Sequence, residues 1–241
     1  MTHGGGGGIA GVVLRAFLLS IGQLGDRRIR AVLVKSTLVT LAVFAILGLG
    51  VWFGVRRLTD RADGGVAALV ALAVVLLALW TTFRAVGVAV IGLFADAVVE
   101  AVEARHYPAA LESARAVPVL RAAAMGLRSV GRVVALNALM LPVYAALLLT
   151  GVGTAAAFFA VNAWLLGRDL ADMVAARHMA PATLRAWHAT TRPGRMLLGL
   201  VATALFVVPL VNILAPVLGA AMATHWFHRG RAAAARREGS A

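Results

Sequence analysis

Four long stretches of this chain carry almost no charge, and their lengths constrain the fold more than any other feature. A helix needs ~20 apolar residues to cross the ~30 Å hydrocarbon layer of a bilayer. Between Lys35 and Arg56 lie 20 residues free of Asp, Glu, Lys and Arg. Between Asp63 and Asp96 lie 32, interrupted only by Arg84. Neither stretch contains proline, so each is expected to form one continuous transmembrane helix.

The third stretch, Val133 to Gly167, runs for 35 residues without a formal charge. As one straight helix it would measure ~52 Å, too long for a single crossing. Two full crossings and a turn would need ~44 residues, which is too many. Its middle reads Thr150-Gly151-Val152-Gly153-Thr154, a helix-breaking segment with no charge to hold it in water. Two short helices meeting there form a re-entrant hairpin. Turn backbone is tolerated at membrane depth only where protein covers it or a wet cavity meets it. The fourth stretch, Met196 to Thr224, repeats the pattern over 29 residues, with Pro209, Asn212 and Pro216 near its middle.

Charge placement favours hairpins. With both stretches re-entrant, only the loop holding Arg56, Arg57 and Arg61 lies on the far side, and nineteen other basic residues share the near side. The positive-inside tendency then makes both termini cytoplasmic, in a plasma membrane. The expected fold is all-α and integral to the membrane: two long transmembrane helices, two re-entrant hairpins and amphipathic interfacial helices. A four-span bundle is the alternative.

Composition agrees: 61% of residues are hydrophobic and 14% charged, where a soluble domain has nearer half and a quarter. That leaves one helical membrane domain over residues 9–228, a flexible glycine-rich tail at 1–8 and a basic tail at 229–241. Ile9–Ile21 is apolar but interrupted by Arg15 and preceded by no basic residue, which is the reverse of a signal peptide. It reads as an interfacial amphipathic helix. Val119–Arg132 and Arg168–Arg195 read the same way, with Arg168 and Asp172 spaced to pair.

The net charge of +13 would suggest nucleic acid for a soluble chain. Here the arginines lie between apolar runs, so their expected partners are anionic lipid headgroups and nucleic acid is excluded. Cysteine is absent, which removes thiolate chemistry and Cys-ligated metals.

Three features carry candidate chemistry. Gly25-Asp26-Arg27-Arg28-Ile29-Arg30 opens the first long helix. Amides at a helix start and forked guanidiniums suit a tetrahedral oxyanion, so Gly25, Arg27, Arg28 and Arg30 are candidate anion ligands; an ordinary positive-inside anchor is the bland reading. Asp96, Glu100 and Glu103 are spaced i, i+4, i+7 and fall within about 60° of one another on a helix. Pairing of Glu100 and Glu103 with arginines is expected there in preference to a metal, since no His shares the stripe. Arg84 is either a snorkelling or a pore-facing charge. The third feature is the set of breaking and polar residues in the hairpins: Gly151, Gly153, Asn162, Pro209, Asn212 and Pro216. They are candidate pore-lining tips, or structural glue with Asn137. His225 and His228 flank Trp226 and, lacking acidic neighbours, read as an interfacial belt. No Ser-His-Asp set, phosphate loop or zinc-protease motif is present, so neither an enzyme nor a cofactor is expected.

These residues resemble the CysZ sulfate permease family, whose wider class includes etoposide-induced-protein-like membrane proteins. Gly25 to Arg30 with Val32–Leu33 is similar to that family's Gly/Pro-x-x-Arg start of its first long helix. Phe94, Glu100, Glu103 and Arg105 are similar to the acidic end of its second. Val208-Pro209-Leu210-Val211-Asn212, Pro216-Val217 and Thr224-x-Trp226 carry the rest. The resemblance implies paired half-penetrating hairpins, homo-oligomerisation and passage of sulfate or a related oxyanion into sulfur assimilation in a bacterial inner membrane; a non-transporting membrane scaffold or lipid-organising protein, its arginines serving headgroups alone, is the alternative. The oxyanion would bind at Gly25–Arg30, with Arg30 the best match to the family arginine. Leu166-Gly167-Arg168-Asp169-Leu170 replaces the family's aromatic-rich segment, and Ser36 its helix-start proline.

Overall fold

With no proline between Arg27 and Thr59, the first apolar run folds as one uninterrupted helix of 33 residues, α2 (Arg27–Thr59). It follows α1 (Ile9–Gln23). The structure, a computed structural model, describes residues 8–23, 25–59, 94–209 and 211–239, with positions 65, 69, 72 and 73. The second expected span and Arg84 therefore lie outside the described residues. Helix resumes at residues 94–106, labelled α3. There follow α4 (Pro108–Ser113), α5 (Val119–Leu147), a 3-10 turn (Leu148–Thr150), α6 (Val152–His178), α7 (Pro181–Thr190), α8 (Arg192–Val207) and α9 (Val211–Glu238). Among the described residues there is no strand. The all-helical expectation stands.

The chain divides into two compact units. One is Gly25–Ala97, which holds α2 and the first residues of α3. The other joins Met1–Leu24 to Val98–Ala241 and holds the remaining helices.

In the larger unit the two expected breaks are where helices reverse. Gly151 sits at φ 67°, a left-handed backbone that L side chains rarely adopt. Thr150 Oγ1 accepts from the Gly153 amide at 3.0 Å and donates to Leu147 O at 2.7 Å, closing the turn. A Cβ on Gly153 would lie 2.4 Å from that hydroxyl, so the turn needs both glycines for different reasons. The second reversal follows Val208 and Pro209, between α8 and α9. Pro209 stands in it, whereas Pro216 is accommodated inside α9.

Three expectations need correction. Val119–Arg132 is no separate interfacial helix; it is the first half of α5, because its arginines are good helix formers and the one proline between them and the turn, Pro142, is accommodated inside the helix. For the same reason α6 continues past Gly167 to His178. The basic stretch after His228 is the helical end of α9, as far as Glu238.

Small residues form the core. α6 and α8 approach so closely that a Cβ on Gly167 would lie 1.9 Å from Arg195 O, and one on Gly199 1.9 Å from Ala163 O. α9 adds a wholly buried run from Val217 to His228 and packs against α1, which buries Val13 and Ala16. α5 is different. It has no buried residue, it is held to α6 by Arg132 on Asp169 at 2.8 Å, and with its 3-10 turn it is the one described helix long and apolar enough to cross a membrane.

Candidate functional site

A carboxylate without water requires compensation, and the larger unit supplies it at Glu103. Its side chain, on α3, is fully buried. His178 at the end of α6 places Nε2 2.7 Å from Glu103 Oε1, and His228 of α9 places Nε2 3.0 Å from the same oxygen. Arg177 Nη2 stands 3.5 Å from Oε2, beyond good hydrogen-bonding distance. Burial works to raise the Glu103 pKa, but hydrogen bonds from the two histidines, with the charge of Arg177, outweigh it and hold the carboxyl at about 2. The ligand atoms of Glu103, His178 and His228 all lie within 4.8 Å of one another, so this is the group among the described residues that could hold a metal ion.

The cluster continues toward α1. The Tyr107 ring stacks on His228 at a centroid distance of 4.5 Å, and its hydroxyl lies 2.9 Å from His225 Nδ1. Gln23 Nε2 donates to His225 Nε2 at 2.8 Å. That leaves the imidazole proton on Nδ1, where it donates to the phenol oxygen. Burial first, then the nearby charges of His106, Arg229 and His228, push the His225 pKa down to about 4, and burial pushes the Tyr107 phenol up. Phe227 stacks on His178 and Trp187 packs edge-on against Phe227, closing the apolar side.

Sequence reasoning named Glu103 and missed the rest. His225 and His228 are not a belt pair; both are buried, and an acid 125 positions earlier in the chain meets His228. Local spacing holds no signal for that. Glu100, expected to share the network, is exposed. Glu103 meets one arginine and two histidines, where arginines alone were expected.

The other candidates fall elsewhere. Gly25 forms the turn before α2, and Arg27, Arg28 and Arg30 occupy its first turn, with the Arg30 amide donating to Asp26 O at 2.8 Å. No acid sits in that turn. Three arginines at the positive end of a helix dipole oppose the usual preference, and Asp26, immediately before them, is the acid nearest in sequence. This segment belongs to the smaller unit and Glu103 to the larger. Gly151, Gly153, Pro209 and Asn212 lie at the hairpin reversals. Asn162 lies ten residues into α6, ~15 Å along its axis from the tip, and donates to Phe158 O at 2.9 Å. Asn137 likewise donates one turn back along its own helix, to Val133 O. These bonds are not the cross-helix glue that was expected of them.

A family profile described as Sulfate transporter CysZ/Etoposide-induced protein 2.4 matches residues 16–216. The chain belongs to this family. Comparison with curated proteins finds no match. The CysZ/etoposide-induced-protein match takes in the arginine turn, Glu103, His178 and both hairpin tips, while His225 and His228 lie beyond its end. Membership is consistent with a membrane protein of sulfate-transporter-like function.

Proposed function

We propose that the chain is an ATP-independent permease or channel for sulfate or a related oxyanion, supplying sulfur assimilation across a bacterial inner membrane. The observation that carries this reading is the family match over residues 16–216, which includes the arginine-rich first turn of α2. Arg27, Arg28 and Arg30 would gather the anion at amides that already attract negative charge.

Re-entrant hairpins are supported by leg lengths. The uncharged parts of α8 and α9 measure about 18 and 21 Å, well under the ~30 Å of the hydrocarbon layer, and that of α6 about 24 Å, whereas α5 with its 3-10 turn is long and apolar enough to cross. The tips are apolar as well. Leu149 is 94% exposed and Val152 77%, which water would not favour and which lipid or a neighbouring subunit would. A homo-oligomer would let those tips meet protein and line the path, while the arginines outside it contact anionic lipid.

Sulfate flux into proteoliposomes tests the proposal. Reconstituted protein should carry sulfate faster than empty vesicles, and Arg30→Ala should lower that flux at least about tenfold, the loss of a charge-assisted contact worth ~1.5–3 kcal/mol. Flux equal to that of empty vesicles, or unaffected by the substitution, would count against it.

A further inference from the structure

We propose that Glu103, His178 and His228 bind a single divalent transition-metal ion of the Zn2+, Co2+ or Fe2+ kind. The proposal is independent of transport, and neither stands or falls with the other.

Donor geometry comes first. In a tetrahedral zinc site with bonds of ~2.0–2.1 Å, neighbouring ligand atoms lie roughly 3.3 Å apart. Here both imidazole Nε2 atoms lie 2.7 and 3.0 Å from Glu103 Oε1, and the three atoms close within 4.8 Å. Small side-chain rotations open that triangle around an ion. The ligands sit on three different helices and are almost wholly buried, with side-chain exposures of 0, 2 and 8%. Packing therefore fixes their convergence.

Distribution of donors is the second observation. An ion-pair network satisfies both oxygens of a carboxylate. Glu103 instead draws both imidazoles onto Oε1, while Oε2 is buried without a hydrogen bond although Arg177 stands 3.5 Å away. Three donors crowded on one point, with a cation beside the outer oxygen, is the pattern of a ligating carboxylate and its outer partner. Coordination would pull Oε1 to the metal and leave Oε2 to Arg177, whose charge also offsets that of the carboxylate.

Ligand chemistry narrows the ion. Two imidazoles and one carboxylate suit borderline first-row metals; calcium and magnesium prefer all-oxygen shells, and the chain offers no cysteine for softer ions. Three protein ligands leave a further position for water or another small ligand.

The test uses purified full-length protein in detergent, stripped with chelator and titrated with Co2+. Binding of one Co2+ per chain, with the visible absorption of a low-coordinate ion and displacement by Zn2+, is expected. His178→Gln and His228→Gln should weaken it by more than the roughly 10–100-fold that loss of an outer partner causes. His188→Ala, which removes a histidine paired with Asp172 and not with Glu103, should leave it unchanged. If the triad variants fail to fold, X-ray absorption at the zinc edge of the wild-type protein must still count two imidazoles. No uptake, uptake indifferent to both triad substitutions, or a shell without two imidazoles overturns the proposal.

Discussion

His225 shows how far a single side chain can be moved by its surroundings. Gln23 of α1, His106 at the end of α3, Tyr107 just after it, and His228 and Arg229 of α9 all bear on it, and its pKa drops from 6.5 to about 4. The unfolded chain takes up that proton near pH 6.5 and the folded chain only near 4. Stability from this group is therefore fully present above about 6.5 and is lost as pH falls through the interval to about 4. Thermal unfolding of the detergent-solubilised protein should become steadily easier across that interval. His225→Gln, which cannot titrate, should flatten the profile; parallel profiles for the two proteins would refute the assignment. Little of this was legible beforehand. Spacing along α9 brings His228 and Arg229 near His225, three and four positions on, but it reports nothing of the partners on other helices. Gln23 is 202 positions away and Glu103, partner of His228, is 125. Glu103 was picked out by the i, i+4, i+7 spacing it shares with Asp96 and Glu100, and that spacing does not distinguish it from the exposed Glu100.

At the level of elements, sequence was a better guide, because helix breaks are written locally. Gly151 and Pro209 mark both reversals, and the missing charge in runs three and four marks the apolar legs. What could not be read was where each leg ends. Arginine and aspartate are acceptable inside helices, so α5 and α6 run on past the charge boundaries by which they were delimited. The contact of α6 with α8 was equally hidden, since it depends on two glycines opposed across helices, 32 positions apart. Gly199→Ala should force those helices apart, because its Cβ would enter backbone at Ala163 O that cannot rotate away. Overpacking of that kind costs about 1–3 kcal/mol. A fall in unfolding temperature is expected, whereas Gly126→Ala, in open space on α5, should cause none. Equal stability of the two variants would show that the close crossing is absent.

For the whole molecule, the question is how many times the chain crosses the bilayer. The absence of cysteine makes it accessible, because a single introduced thiol is the only reactive one. Thr190, exposed at the end of α7, lies between the two hairpins. If both hairpins re-enter, Thr190→Cys shares the side of the C-terminus. If the third and fourth runs span, it lies on the opposite side. Labelling of right-side-out and inside-out vesicles with a membrane-impermeant maleimide should place Thr190→Cys with a cysteine at Ser240, on the cytoplasmic face. Protection of one and labelling of the other from the same side would replace the hairpins with a four-span bundle.

The Glu103 cluster also imposes an order on biosynthesis. Its carboxylate is made early, His178 follows 75 residues later, and His228 only when α9 leaves the ribosome. Until then α3 carries an acid whose last partner does not yet exist, in a compartment where an unmatched charge is held near water. The larger unit can therefore close only after α9 has been made, with α1 waiting for the same helix through Gln23. A nascent chain that stops short of α9 would keep that acid solvated and its helices apart, a state that membrane proteases could distinguish from the finished protein.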